Sequence, residues 1–104
     1  MGNSQAKSSI TPAQHEYLVN LFKYTRKVEK WQHTNKKSRS AALEIIVAVE
    51  QLSTAAAKKE HITELRLFAR VVENWISVWQ RRTFADGKTP KEFIWVPSAD
   101  DIFK

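Results

Sequence analysis

TPAQHEYLVNLFKYTRKVEKWQH, residues 11–33, is the stretch whose reading decides the fold. Thr11 has a side-chain oxygen that can cap a helix. Pro12 lacks the N–H that the first helical position leaves unbonded, and Gln14 stands where it can reach back to complete a capping box. At 100° per residue, Tyr17, Leu18, Leu21, Tyr24, Val28 and Trp31 share one arc. Lys23, Arg26, Lys27 and Lys30 fall together on the opposite arc, and Glu29 lies outside it. The pattern predicts an amphipathic helix from Pro12 to about His33, with an apolar inner face and a basic outer face.

Beyond this helix, Thr34 to Ser40 reads as a basic loop that adds Lys36, Lys37 and Arg39. Ser40 is placed to cap a second helix from Ala41 to about Ala57. That helix is so apolar that it reads as the central, buried one. No Gly or Pro occurs between Ser40 and Gly87. One unbroken helix there would be about 60–70 Å long at 1.5 Å per residue and could not fold back. A turn is therefore expected near Lys58 to Ile62, followed by a third helix from Thr63 to Arg82. Its apolar stripe is Leu65, Phe68, Ala69, Val72, Trp75, Ile76 and Trp79. Ala85 to Lys88 reads as a turn. Thr89-Pro90-Lys91-Glu92 repeats the capping pattern and predicts a short helix through Trp95, ended by Val96-Pro97. Ser98-Ala99-Asp100-Asp101 looks like another helix start, and the sequence stops three residues after it, as a piece of a longer polyprotein would. The expected architecture is all-α: a compact bundle of four to five helices over residues 11–104, one domain, preceded by a flexible arm over residues 1–10. Trp31, Trp75 and Trp79 are expected in the core, whereas Trp95, close to a proline, is the least constrained of the four and open to exposure.

Composition removes several function classes. With no Cys among 104 residues, disulfides, thiolate metal sites and thiol catalysis are out of reach. His15, His33 and His61 do not stand at metal-ligand spacing. Two glycines, Gly2 and Gly87, cannot make a phosphate-cradling loop. No serine sits in a nucleophile-elbow context, and no carboxylate pair sits in an apolar stretch. No catalytic residue, metal or cofactor is expected. The longest mostly apolar run, Ala41 to Val49, contains Glu44, so no segment is expected to span a bilayer.

Charge placement points the other way, towards a partner. The net charge is +6. Residues 1–40 hold eight Lys/Arg and two acids, while residues 41–104 hold nine of each sign. All the excess charge thus belongs to the opening segment, which suits an acidic partner or a solvated face. The opening residues, Met1-Gly2-Asn3-Ser4-Gln5-Ala6-Lys7-Ser8, meet the main demand of N-myristoylation, a Gly2 exposed by Met removal. They depart from its best form by placing Ala6 where Ser or Thr is usual. One myristoyl chain gives only reversible membrane binding, on the order of 10⁴ M⁻¹. Three Lys/Arg at an anionic leaflet would add about 3 kcal/mol, roughly a hundredfold. Acyl chain and basic cluster together would suffice where each alone is weak.

The layout resembles the matrix domain at the amino terminus of retroviral Gag polyproteins. The resemblance is carried by Met1-Gly2-Asn3-Ser4, the capped helix from Thr11-Pro12, the Lys/Arg cluster from Lys23 to Arg39 and a helical body of this size. Ile10-Thr11-Pro12 leading into Leu18-Val19-Asn20-Leu21 is similar to matrix proteins of the deltaretrovirus kind; a Cys-Pro-Trp-Phe-Pro type segment is absent. The resemblance implies a myristate on Gly2. It implies anionic lipid and phosphoinositide headgroups bound by Lys7, Lys23, Arg26, Lys27, Lys30, Lys36, Lys37 and Arg39. It also implies action at the cytoplasmic face of the host plasma membrane and inside the virion, as part of a polyprotein with downstream segments. Self-association, RNA and an envelope cytoplasmic tail are further partners it implies. Two other readings fit the same residues. One is a basic helical module that neutralises nucleic-acid phosphates. The other is a helical protein-interaction domain.

Overall fold

In the computed structural model, which describes residues 10–35, 39–84 and 87–104, the chain is all-α and compact. The helix α1 spans Pro12–Thr34. Its capping box forms as the sequence predicts. Thr11 Oγ1 accepts from the Gln14 N–H at 3.1 Å, and Gln14 Oε1 accepts from the Thr11 N–H at 3.1 Å. Tyr17, Leu18, Leu21, Tyr24 and Val28 are buried along one side. Trp31 is half-buried, its ring edge-on to Phe84 and Phe93 at centroid distances of 5.0 and 5.8 Å.

The helix α2 spans Arg39–Ala57 and α3 spans Ile62–Thr83. Because α2 begins at Arg39, Ser40 lies within its first turn and is not its cap. The turn between α2 and α3 falls where helix length demands one. The Glu60 N–H bonds the Ala55 carbonyl at 3.1 Å and the Lys59 N–H bonds the Ala56 carbonyl at 3.0 Å. Lys59 takes φ 59°. This is a Schellman ending with lysine at the position glycine usually fills, so no glycine announces the turn. His61 then caps α3, its Nδ1 accepting from the Thr63 N–H at 3.2 Å.

Pairings along the helices fix the topology. Tyr17 meets Glu73, Tyr24 meets Gln80 and Trp79, and Trp31 meets Phe84. The helices α1 and α3 therefore run parallel, with α2 antiparallel and packed against both. Among the described residues two short elements follow: a 3-10 turn at Lys91–Phe93 and the four-residue helix α4 at Ala99–Ile102. The segment from Lys88 to Phe103 lies as a strap along the groove between α1 and α3. Phe93, Ala99 and Phe103 are buried there, and the core also takes Ile45, Leu52, Leu65, Val72, Ile76 and Trp79.

Four expectations need correction. The helix α2 is not buried all round: Leu43 and Val47 are exposed, because α2 has neighbours on two sides only. By length and composition α2 is also apolar enough to cross a membrane, with a stretch of mean hydropathy 1.3. In this fold it buries Ala41, Ala42, Ile45, Ala48, Val49, Leu52 and Ala55 against its neighbours. Thr89 caps nothing: the 3-10 turn starts after Pro90 and has no side-chain cap. Trp95 is half-buried, packed edge-on to Tyr17 and Tyr24 at 5.6 and 5.7 Å. The expected arm up to Ser9, the loop lysines Lys36 and Lys37, and Ala85-Asp86 lie outside the described residues; Ile10, assigned to the arm, packs against the core.

Candidate functional site

Lys23, Arg26, Lys27 and Lys30 all emerge on the solvent side of α1. Spacings of three and four bring them onto one face. Among the described residues none of the four has a carboxylate within ion-pair distance; the ion pair present, Arg70 with Asp100 at 3.7 Å, joins α3 to α4. Lys27 makes one polar contact, its Nζ donating to the Glu92 carbonyl at 3.3 Å. Arg39 is exposed at the start of α2. It shares a groove at the α1–α2 junction with Glu29, Gln32 and His33. Gly2, Lys7, Lys36 and Lys37 lie outside the described residues.

The strap borders the basic face. Its contact with Lys27 comes at residue 92, and two residues later Ile94 enters a groove shared with Ala13, Glu16, Tyr17 and Asn20 of α1. Extended backbone sends successive side chains to opposite sides. Phe93 is buried and Trp95 half-buried, while Ile94 is 54% and Val96 74% exposed. Lys91 is exposed at the same end. The basic face of α1 thus has two uncovered aliphatic side chains at its edge.

What holds the strap there is a buried carboxylate. Glu73 of α3 receives Tyr17 Oη at 2.6 Å, Trp95 Nε1 at 3.2 Å and the Ser98 N–H at 2.9 Å on Oε2, and the Ala99 N–H at 3.3 Å on Oε1. Ser98 supplies no side-chain cap to α4. Glu73 caps α4 from another helix instead, where backbone N–H groups and the helix dipole favour an anion. Gln14 closes the far end of α4, its Nε2 donating to the Ile102 carbonyl at 3.0 Å. Nearer the middle, Tyr24 Oη and Gln80 Nε2 both donate to the Phe93 carbonyl at 2.7 Å. Burial, with the Glu73 carboxylate beside it, raises the Tyr17 hydroxyl well above the ordinary tyrosine range. Burial pushes Tyr24 up to about 12, against the opposing bond from Gln80. Sequence reading overlooked Glu73; the available signal is an acid next to Val72, on the edge of an apolar arc.

The opposite side of the bundle has a different character. The groove between α2 and α3, to which α1 contributes nothing, exposes Val47, Leu67 and Val71 beside Phe68. Its rim carries Glu50, Glu60 and Glu64 against Lys58. Among the described residues no group of three His, Asp or Glu is placed to hold a metal ion. Comparison with known proteins found no matching family model, and no significant match among curated proteins or solved structures.

Proposed function

We propose that this chain is a membrane-targeting structural domain of the Gag-matrix type. It docks on an anionic bilayer through the outer face of α1, with a myristoyl group on Gly2 as the second anchor. The observation that carries this reading is the set Lys23, Arg26, Lys27 and Lys30, gathered on one face with no carboxylate partner among the described residues. Like charges at i, i+4, such as Lys23 with Lys27 and Arg26 with Lys30, cost a helix a few tenths of a kcal/mol per pair. An anionic surface turns that cost into about 1 kcal/mol of attraction per residue. Geometry is compatible with a shared plane. Residues 2–10, fully extended, reach about 28 Å, and the basic residues stand about 17–27 Å along the axis from Pro12. The resemblance of Met1-Gly2-Asn3-Ser4 and the capped first helix to Gag matrix domains supports the same reading. It suggests the cytoplasmic face of the host plasma membrane as the place of action.

The test is to express the full chain in eukaryotic cells, weigh it, and sediment it with phosphatidylserine-containing or purely neutral vesicles. The wild type should gain about 210 mass units, the size of a myristoyl group, and sediment with anionic vesicles. Gly2→Ala should lose the added mass and most of the sedimentation. An unacylated wild type that binds RNA but ignores anionic vesicles would replace this reading with the nucleic-acid one.

A further inference from the structure

We infer that Ile94 and Val96 form an aliphatic wedge that enters the bilayer beside the basic face. The inference rests on the membrane-docking reading above and adds to it an apolar contact supplied by the fold itself.

The strap is held so that these two side chains cannot turn inwards. Phe93 is locked by Tyr24 and Gln80 on its carbonyl, and by rings on four sides: Tyr24, Trp31, Trp79 and Phe84. Trp95 is fixed by Glu73 and lies edge-on to Tyr17 and Tyr24. With 93 and 95 turned to the core and the backbone extended at Ile94, residues 94 and 96 must face out. Pro97 follows Val96 and has no N–H to donate, which removes one polar group from the tip. Val96 is the most exposed of the large apolar side chains among the described residues.

Two things select lipid as the occupant. The first is charge. Lys27 touches the strap at residue 92, Lys23 stands one turn away on the same face, and Lys91 is exposed beside them, against Glu16 and Glu92. The second is shape. Ile94 and Val96 are exposed at the lip of a groove shared with Ala13, Glu16, Tyr17 and Asn20, and aliphatic tips so placed suit the boundary between headgroups and acyl chains. Peripheral binding there grows with buried apolar area and with attraction to anionic lipid. Full burial of an Ile or Val side chain is worth about tenfold or more in partitioning.

The chain contains no native Cys, so one introduced cysteine can be labelled uniquely. Val96→Cys, carrying an environment-sensitive fluorophore, is added to vesicles containing phosphatidylserine, with Thr54→Cys on exposed α2 as the reference. The Val96 label should shift to the blue and gain intensity, and the Thr54 label should not. In parallel, Ile94→Ser with Val96→Ser should weaken sedimentation about tenfold while leaving its salt dependence and thermal unfolding in place. Wild-type sedimentation on anionic vesicles with a Val96 label that stays in water, and an unweakened serine variant, would overturn the wedge and leave the docking reading intact. Failure of the wild type to sediment on anionic vesicles would bring down both. A Val96 shift that tracks protein concentration without vesicles would assign the tips to a second copy of the chain and overturn the wedge.

Discussion

The two apolar openings in the surface differ in what stands next to them. Ile94 and Val96 stand at the edge of a face built from Lys23, Arg26, Lys27 and Lys30. Val47, Leu67 and Val71 stand beside Glu50, Glu60 and Glu64, with Lys58 among them. Hydrophobic burial alone would let a bilayer accept either side, since apolar transfer has no direction. On the proposed reading charge decides: the basic face of α1 beside the first opening would be drawn to an anionic surface, whereas three acids outnumber Lys58 around the second. On that reading the chain's +6 net charge would orient the molecule because of where it is placed, more than because of its size. Long-range orientation of this kind fades once salt shortens the screening length to about 8–10 Å.

The largest effect expected from breaking this asymmetry is on binding. Replacing Lys23, Arg26, Lys27 and Lys30 together by Gln removes about 4 kcal/mol of attraction, roughly a thousandfold in affinity for anionic vesicles. Stability should change little, since all four are exposed and one contact, Lys27 with the Glu92 carbonyl, is lost. Chemical denaturation alongside vesicle sedimentation separates the two.

Next is the strap, which gives the basic side its aliphatic edge. Glu73→Ala leaves the Tyr17 hydroxyl, the Trp95 indole and two backbone N–H groups without their acceptor. A loss of about 3 kcal/mol is expected, read from the shift of the urea midpoint at constant slope. Collisional quenching of Trp95 fluorescence should rise as the strap loosens. Glu73→Gln, which keeps one acceptor oxygen, should lose less.

High pH probes the same strap from its other attachment. Tyr24 ionises near 10.0 when exposed and is pushed up to about 12 in the fold. The folded state thus holds its proton more tightly than the unfolded one. The associated stability is fully present below pH 10 and drains away as pH rises towards 12, by about 2 kcal/mol. Tyr17, raised further, adds to the loss. Stability read from urea unfolding should fall by about 1.3 kcal/mol between pH 9 and pH 11 through Tyr24 alone, and Tyr24→Phe should lose less than wild type. The smallest effect is expected on the acidic side: Leu67→Ser with Val71→Ser should leave vesicle binding unchanged.

Local signals made much of this molecule legible from its residues. Thr11 and Gln14 form the box their spacing predicts, and the arc from Tyr17 to Val28 is the buried one. The basic arc is legible for the same reason: period 3.6 separates it from the core without tertiary knowledge. Features set by distant partners were hidden. Glu73 is buried because Tyr17, Trp95 and the start of α4 converge on it, and no pattern within α3 announces partners up to 56 residues away. Trp95 looks unconstrained, two residues before Pro97, until the groove between α1 and α3 receives it. Val47 reads as core because α2 is apolar around most of its circumference, whereas the fold supplies only two neighbours. Lys59 conceals a turn by adopting a left-handed conformation without glycine.

The most direct test of the account is the salt dependence of binding by the acylated chain to phosphatidylserine vesicles, with the Lys23/Arg26/Lys27/Lys30→Gln variant beside it. Wild-type affinity should fall steeply as salt rises, and the variant should bind weakly with a nearly flat response. A variant that keeps both the affinity and the slope of the wild type would show that the outer face of α1 does not meet the membrane.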